Sequence, residues 1–124
     1  MERGNFQESI IVTGASGLVG AHLIHALEAE GAAAICGLYN SHPCKFQRCF
    51  SKQVDITDRE AMLELRSFKP KLIIHCAAIA NIVYCEMQPE LSYKINVQGT
   101  RNVVELAKLC QAKVVYLSTD AVFD

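Results

Sequence analysis

Three glycines in one short segment, residues 12–20, constrain the fold of this chain more than any other feature. Gly14, Gly17 and Gly20 follow an apolar run at residues 10–12 and open an amphipathic stretch, which predicts a strand, a tight turn and a helix. In such a turn the backbone N–H groups and the positive helix end face one point, which suits a pyrophosphate. The spacing is G-x-x-G-x-x-G rather than the commoner G-x-G-x-x-G. The alternative is a glycine-rich turn that binds nothing.

Strand and helix patterns alternate along the rest of the chain. Strands are predicted at residues 9–13, 33–39, 52–55, 72–74 and 114–117, and helices at 17–30, after a capping box of Thr57 and Glu60, from Pro89, and around 97–111. This alternation predicts an α/β fold, a Rossmann-like doubly wound parallel sheet of order 3-2-1-4-5. A ligand is expected at the carboxyl ends of strands one and four, where the winding reverses.

Two of the predicted helices have a clear apolar face. The expected buried residues are Val19, Leu23, Ala26 and Leu27 in the first helix and Val103, Val104, Ala107 and Cys110 in the last. Buried faces on separate helices indicate one packed domain, which agrees with a length of 124 residues.

The charge balance and the N-terminal segment exclude several function classes. The net charge is −1 and 51% of the residues are hydrophobic, so no nucleic acid or anionic membrane is expected as a partner. Residues 1–8 do not form a signal peptide, and no apolar run approaches membrane-spanning length. We therefore expect a cytoplasmic location.

Six cysteines raise the question of disulfides or metal binding. None forms a C-x-x-C pair, and Cys44 and Cys49 have no matching pair of ligands elsewhere, so no metal site is predicted. Cys36, Cys76 and Cys110 lie in apolar periodic segments, where thiols behave as small core residues. Reduced thiols are expected, with a Cys44–Cys49 redox pair as the alternative.

Four motifs together resemble a known superfamily. They are the glycine turn, Asp-Ile-Thr-Asp at 55–58, His-Cys-Ala-Ala at 75–78 and Ser-Thr-Asp-Ala-Val-Phe-Asp at 118–124. From Ser9 onwards the chain resembles the extended short-chain dehydrogenases/reductases. The last motif, with Cys-Glu at 85–86 and Pro-Glu-Leu at 89–91, is most similar to the dTDP-4-dehydrorhamnose reductase branch, to which the regulatory β-subunit of methionine adenosyltransferase also belongs.

The resemblance implies a dinucleotide-binding site. Its expected residues are Gly14, Ser16, Gly17, Leu18, Val19, Gly20, Tyr39, Asn40, Ser41, Asp55, Ile56, Ala77, Ala78, Ala80 and Ser118. In the family, Asp55 would accept a hydrogen bond from the adenine amino group, and residues 77–80 would cover the pyrophosphate and nicotinamide ribose. The alternative for Asp55 is a turn that precedes Thr57. His75 is expected to be a packed core histidine, and Asn96 to be structural.

The end of the second strand bears on the choice of cofactor. A carboxylate there would bind both ribose hydroxyls and repel a 2′-phosphate. The sequence has no Asp or Glu between Gly31 and Val54, and it has Lys45 and Arg48 in the following loop. NADP(H) is therefore favoured, with NAD(H) as the other candidate. If both cations are merely solvated, the protein accepts either cofactor.

The resemblance also assigns a catalytic hydroxyl. Thr119 would bind the substrate oxygen beside a Tyr and a Lys of a Y-x-x-x-K motif, which this sequence lacks. Residues 1–124 are thus expected to be the NAD(P)-binding Rossmann domain of a sugar-nucleotide reductase, without its substrate domain and inactive alone. The alternatives are a cofactor-binding regulatory subunit and a non-catalytic nucleotide-binding module.

Strand five is expected to be the edge at which the sheet is truncated. Its apolar residues would then be partly exposed, which promotes association. We expect a homo-oligomer or a partner that covers this edge.

Overall fold

The structure, a computed structural model, describes residues 8–32 and 34–118 as a five-stranded sheet with helices on both faces. The strands are Ser9–Thr13 (β1), Ala34–Tyr39 (β2), Phe50–Gln53 (β3), Leu72–His75 (β4) and Lys113–Tyr116 (β5). The helices are Leu18–Ala29 (α1), Arg59–Glu64 (α2), Ile82–Met87 (α3), Pro89–Tyr93 (α4) and Thr100–Cys110 (α5). A 3₁₀ turn, Leu65–Phe68, follows α2, and a π-helical turn, Lys94–Gly99, joins α4 to α5.

All strands of this sheet are parallel, in the order β3-β2-β1-β4-β5. The predicted α/β class and strand order are therefore confirmed. In the centre of the sheet, Ile11 is aligned with Cys36 on one side and Ile73 on the other. Since helices cover both faces of the central strands, these strands have apolar residues in succession rather than in alternation. The direction of winding reverses between β1 and β4.

The core consists of two apolar clusters, one on each face of the sheet. The first lies beneath α2 and α5 and contains Ile11, Cys36, Leu38, Val54, Ile56, Met62, Leu65, Ile73, Val103, Leu106 and Ala107. The second, the α1-side cluster, contains Ile10, Val12, Ala15, Ile24, Ala32, Ile35 and Ile74. No helix within the described residues is long and apolar enough to cross a bilayer.

The predicted buried face of α1 is confirmed in part: Leu23 and Leu27 pack partly buried against the α1-side cluster, whereas Val19 and Ala26 are exposed. Gly20 and Ile24 are the buried residues, whereas Val19 is 55% exposed. A Cβ at Gly20 would lie only 2.1 Å from the Gly14 carbonyl oxygen. Gly20 therefore packs directly on the turn, and the buried line of α1 runs through Gly20 and Ile24 with Leu23 and Leu27 beside it.

The region around β3 shows two further corrections. β3 spans Phe50–Gln53, two residues earlier than predicted. The N-cap of α2 is Asp58, whose side chain accepts a hydrogen bond from the Ala61 N–H at 3.1 Å, and not Thr57. The Thr57 hydroxyl instead donates to Asp55 Oδ1 at 2.7 Å, and the helix begins later as a result.

Residues 89–110 form a nearly continuous helical segment, which begins at Pro89 as predicted and joins the helix predicted around 97–111. The π turn occupies its middle, so that α5 proper begins at Thr100. Val103 and Ala107 are buried as predicted, but Val104 is 38% exposed and Leu106 is fully buried. Cys110 also packs partly buried against the core cluster beneath α5, as predicted.

β5 lies at the edge of the described sheet, beside β4 only. Val114 packs against the core cluster beneath α5, while Val115, Tyr116 and Leu117 are about half exposed. The described chain therefore has a partly apolar strand edge, as the sequence indicated.

Replacement of Met62 by alanine should destabilise the fold strongly. Met62 is fully buried beneath α5, and truncation of such a side chain costs about 2–5 kcal/mol because it leaves a cavity. Met87, which is 72% exposed, provides the matched control, and Met87→Ala should change stability by less than about 0.5 kcal/mol. Urea denaturation measures both, and equal losses would contradict the described core.

Candidate functional site

A groove of about 290 Å³ crosses the carboxyl ends of four neighbouring strands. Each strand contributes the residues that immediately follow it, so parallel strands bring distant parts of the sequence to one edge. The groove is lined by Gly14, Ser16, Gly17, Leu38, Tyr39, Asn40, Ser41, Val54, Asp55, Ile56, Cys76, Ala77, Ala78, Ile79 and Ile95. It includes the point between β1 and β4 where the winding reverses, the expected ligand position in a doubly wound sheet.

The glycine turn after β1 packs closely against the segment that follows β4. Gly14 has a φ of +67°, and a Cβ there would lie 2.9 Å from the Ala77 backbone nitrogen. Only glycine combines that left-handed conformation with so close a backbone approach. Gly17 has its N–H bonded to the Gly14 carbonyl at 3.0 Å, and a Cβ on it would meet that carbonyl oxygen alone, at 3.3 Å. The space beyond Gly17 is the groove.

The N-terminus of α1 faces the same groove. Gly17 is its N-cap, and no side chain caps the helix. The first N–H groups of a helix have no carbonyl partner within it, and they carry the positive end of its dipole. Leu18 and Val19 supply two of these N–H groups, and their own side chains are mostly exposed. The arrangement attracts an anionic group without a charged side chain.

A chain of hydrogen bonds beneath the groove connects β1, β4 and α5. The Thr13 Oγ1 atom accepts from the backbone N–H groups of Cys76 and Ala77, both at 3.0 Å. It also lies 2.7 Å from Nδ1 of His75, whose Nε2 lies 2.9 Å from Thr100 Oγ1. The Thr100 hydroxyl donates to the Asn96 carbonyl at 2.7 Å. This chain fixes the start of the segment after β4.

These contacts determine the tautomer of His75. Because Thr13 Oγ1 already accepts two N–H groups, its own proton is directed to Nδ1, and Nε2 must then carry the imidazole proton that it donates to Thr100. His75 is 2% exposed, and burial lowers its pKa to about 4. His75 is therefore a neutral, hydrogen-bonded core histidine, as expected from the sequence.

Asn96 forms two hydrogen bonds to the far end of the segment that follows β4. Its Oδ1 accepts from the Ile79 N–H at 2.8 Å, and its Nδ2 donates to the Ile79 carbonyl at 2.9 Å. The thiol of Cys85 adds a weak contact to that carbonyl at 3.5 Å. The π turn presents Asn96 to this segment, in keeping with the structural role implied for it.

Asp55 lies in the groove at the end of the β3 segment, in a tight local turn. Its Oδ1 accepts from both the backbone N–H and the hydroxyl of Thr57, at 2.9 and 2.7 Å. The turn considered as the alternative is thus present, and it orients a carboxylate that also lines the groove. The next residue, Ile56, is held by Asn102, whose Nδ2 donates to the Ile56 carbonyl at 2.8 Å.

Most of the residues expected at the site come together. Ten line the groove: Gly14, Ser16, Gly17, Tyr39, Asn40, Ser41, Asp55, Ile56, Ala77 and Ala78. Five others do not line it, namely Leu18, Val19, Gly20, Ala80 and Ser118. Leu18 and Val19 approach it through their backbone, and Gly20 packs beneath it. Thr119 lies outside the described residues. Thr13 was not predicted, although a threonine directly before the first glycine was the available signal.

The two cations of the loop after β2 are not among the lining residues. Arg48 borders a separate hollow with His25 and Glu28, and its backbone N–H donates to Glu28 Oε1 at 2.9 Å. Burial of Glu28 raises its pKa, but the hydrogen bonds from the 47–49 backbone outweigh that effect and the net pKa is lowered. The carboxylate therefore anchors this end of the loop to α1, away from the groove.

A larger hollow, about 480 Å³, lies on the outer side of the π turn and α5. It is wide and shallow and contains no strand end, so we regard the groove as the better candidate site despite its smaller volume. No group of three or more His, Cys, Asp or Glu side chains in residues 8–32 and 34–118 is placed to hold a metal ion.

The buried histidine should make stability depend on pH. The unfolded chain protonates His75 near its ordinary pKa of 6.5, while the folded chain resists protonation down to about pH 4. Stability should be complete above pH 6.5 and fall by up to about 3 kcal/mol as the pH drops to 4. In urea titrations between pH 4 and 8, His75→Gln should flatten this slope, and the exposed His22→Gln should retain it. Parallel curves for wild type and His75→Gln would contradict the assignment.

Comparison with known protein families identifies relatives along almost the whole chain. The RmlD substrate binding domain family matches residues 8–124. The chain is 35% identical over 114 residues to the probable low-salt glycan biosynthesis reductase Agl14 of Haloferax volcanii, covering 91% of this chain and 37% of that protein. It is 33% identical over 117 residues to methionine adenosyltransferase 2 subunit beta of Rattus norvegicus, covering 93% and 33%. The chain thus spans about a third of the length of these curated relatives.

Solved structures show the same architecture. A hypothetical dTDP-4-dehydrorhamnose reductase from Sulfolobus tokodaii superimposes with a TM-score of 0.84 at 31% identity, over 94% of this chain and 41% of that one. UDP-glucose 4-epimerase of Thermus thermophilus, in complex with NAD, superimposes with a TM-score of 0.82 at 28% identity, over 90% and 37%. The chain belongs to the RmlD substrate binding domain family, which is part of the superfamily similar to the short-chain dehydrogenases/reductases, and it corresponds to the nucleotide-binding Rossmann part of such proteins.

Proposed function

We propose that residues 1–124 form an NAD(P)-binding domain that holds the cofactor in the groove across the strand ends. The observation that carries the proposal is the backbone approach of Gly14 to Ala77, directly beside the uncapped N-terminus of α1. This packing brings the N–H donors of the turn and the helix end to one side of the groove, where a pyrophosphate would lie against them. The NAD complex of the Thermus thermophilus epimerase, which has the same architecture, supports this function.

The proposed cofactor would extend from the glycine turn towards the end of β3. Thr57 occupies Oδ1 of Asp55, and Oδ2 has no hydrogen bond among the described residues, so it is available to accept one from an adenine amino group. Ala77 and Ala78, which line the opposite side, have small side chains that let a ribose lie against the backbone. These assignments are consistent with a cofactor lying across β1, with its two halves on opposite sides.

The favoured activity of the whole protein is reduction of a sugar nucleotide, with this chain as the dinucleotide-binding part. Agl14 and the Sulfolobus protein, both named as reductases, support this class. Thr119 would bind the substrate oxygen, and this activity also needs the Tyr and Lys of a Y-x-x-x-K motif, which residues 1–124 lack. The alternative is a cofactor-binding regulatory subunit, which the 33% identity to the methionine adenosyltransferase subunit favours. Steady NADPH oxidation with a dTDP-4-keto sugar by the whole protein distinguishes the two.

Gly17→Val should abolish most of the pyrophosphate binding. The first Cβ is sterically tolerable beside the Gly14 carbonyl, but the branched methyl groups project into the groove where the anion would lie. We expect a fluorescence titration to show that the affinity for NADPH falls by about tenfold or more, which corresponds to roughly 1.4 kcal/mol. Gly31→Asn is the control, because Gly31 is at the other end of α1 with no atom within 4 Å of its Cβ position, and asparagine tolerates its φ of +77°. Equal affinities would refute the proposed site.

The absence of a carboxylate after β2 favours NADP(H) over NAD(H). The groove is lined there by the uncharged side chains of Tyr39, Asn40 and Ser41. Ser41→Asp should reduce the preference for NADP(H) by on the order of tenfold, since a carboxylate repels the 2′-phosphate, whereas Ser41→Ala should change it little. Dissociation constants for both cofactors measure the effect, and tighter NAD(H) binding by the unmodified chain would contradict it.

The contribution of the two loop cations, Lys45 and Arg48, can be tested apart from that of the missing carboxylate. Since Arg48 lies beside Glu28 rather than in the groove, the preference for NADP(H) rests on the missing carboxylate rather than on these charges. Neutralisation of Lys45 and Arg48 together shows whether either cation reaches the 2′-phosphate when the cofactor is bound.

A further inference from the structure

Two thiols outside the groove converge on one small area of the sheet. Cys44 and Cys49 both lie in the segment between β2 and β3, and both pack partly buried against the α1-side cluster. The sulfur of Cys44 lies 3.9 Å from the hydroxyl oxygen of Ser51 in β3. Cys49 is two residues before Ser51, and alternate residues of an extended chain face the same side. The Cys49 side chain therefore faces the side on which Cys44 lies.

A glycine in the neighbouring strand makes room for the second sulfur. A Cβ at Gly37 would lie 3.2 Å from the Cys49 sulfur, so that this sulfur occupies space that any other residue would fill. Gly37 and Ser51 are aligned as partners between β2 and β3. The Cys49 sulfur thus lies next to Gly37, and the Cys44 sulfur lies next to Ser51, the strand partner of Gly37. Both sulfurs lie on the α1 side of the sheet. Aligned residues on one face of paired strands are close neighbours, so the two sulfurs are neighbours too.

We propose that Cys44 and Cys49 form a reversible thiol–disulfide site, with a low-molecular-weight disulfide such as oxidised glutathione as its oxidant. The two thiols share one face of the sheet and one packing cluster, which brings them together for this exchange. Cys76 packs against the same cluster but follows β4, away from the β2–β3 pair, and Cys85 and Cys110 lie in α3 and α5.

The exchange proceeds in two balanced steps. The Cys44 thiolate attacks one sulfur of oxidised glutathione, which forms a mixed disulfide and releases one glutathione thiolate. Cys49 then loses its proton to solvent and attacks the Cys44 sulfur, which releases the second glutathione. The two protein thiols lose two electrons and two protons in total, and one glutathione disulfide becomes two thiols.

The order of attack follows from the surroundings of Cys49. Its thiol donates to the Phe50 carbonyl at 3.4 Å, and burial raises its pKa to about 11. It is therefore the resolving thiol rather than the attacking one. The backbone N–H of Cys49 is held by Glu28 Oε1 at 2.9 Å, so that the bond would tie Cys44 to an anchored residue. Cys44 follows Asn40 and Ser41 closely, and the bond would thereby restrain the loop that leaves the groove.

The site can be tested on the 124-residue chain in buffers of increasing oxidised-to-reduced glutathione ratio. Trypsin cleaves after Lys45 and Arg48, which separates the two cysteines into peptides 4–45 and 49–52. Under oxidising conditions we expect intact protein lighter by two hydrogen atoms, and these two peptides joined by a bond that a reductant breaks. Fragmentation must place the bond at Cys44 rather than at Cys36, which lies in the same peptide.

Single substitutions complete the test. Cys44→Ser and Cys49→Ser should each abolish the joined peptides, and Cys49→Ser should accumulate the glutathione adduct on Cys44. Cys110→Ser is the matched control and should retain the bond. A stable glutathione adduct on the unmodified protein, a bond from Cys49 to Cys36, or no loss of hydrogen at the highest ratio would each overturn the proposal.

Discussion

The contact between the Gly14 backbone and the segment after β4 is the constraint on which the candidate site depends. A Cβ at Gly14 would lie 2.9 Å from the Ala77 nitrogen, and a Cβ at Gly20 would lie 2.1 Å from the Gly14 carbonyl oxygen. Two loops and one helix therefore approach a single residue without side chains between them. That close packing brings the N-terminus of α1 to the point where the winding of the sheet reverses. A larger residue would move α1, the segment after β4, or both.

Hydrogen bonds hold both ends of the segment after β4 against this turn, and Cys76 and Ala77 also pack against the core clusters. Thr13 holds its first two N–H groups and Asn96 holds both backbone groups of Ile79, so each end is fixed by a side chain from another element. His75 and Thr100 connect these two anchors through a continuous series of hydrogen bonds. The groove is consequently shaped before any ligand binds, which reduces the conformational entropy that binding would cost.

The parts that the sequence predicted correctly are those that local patterns determine. Apolar runs located β1, β2 and β4, and the alternation of elements determined the sheet order. Errors arose where a contact distant in sequence or an irregular turn decided the outcome. The contact of Gly20 with Gly14 places Gly20 and Ile24, which the apolar pattern did not select, at the buried centre of α1. The Thr57 hydroxyl bonds to Asp55, so that Asp58 caps α2 instead, and a π turn precedes α5. Most groove residues were predictable from their motifs, but the role of Thr13 depends on the register between β1 and β4, which aligns Thr13 with His75 and which the strand order alone does not specify.

The proposed anion site and the side chains at the edge of the groove have different chemical origins. The anion site is made of backbone N–H groups and a helix end, so it depends on glycine placement and not on a catalytic side chain. The side chains that would give specificity line other parts of the groove, namely the uncharged residues 39–41 after β2 and the Asp55 carboxylate after β3. None of these groups transfers a proton to a substrate. Cofactor binding and catalysis would therefore depend on different residues. A protein of this fold could lose the catalytic residues and still bind the cofactor.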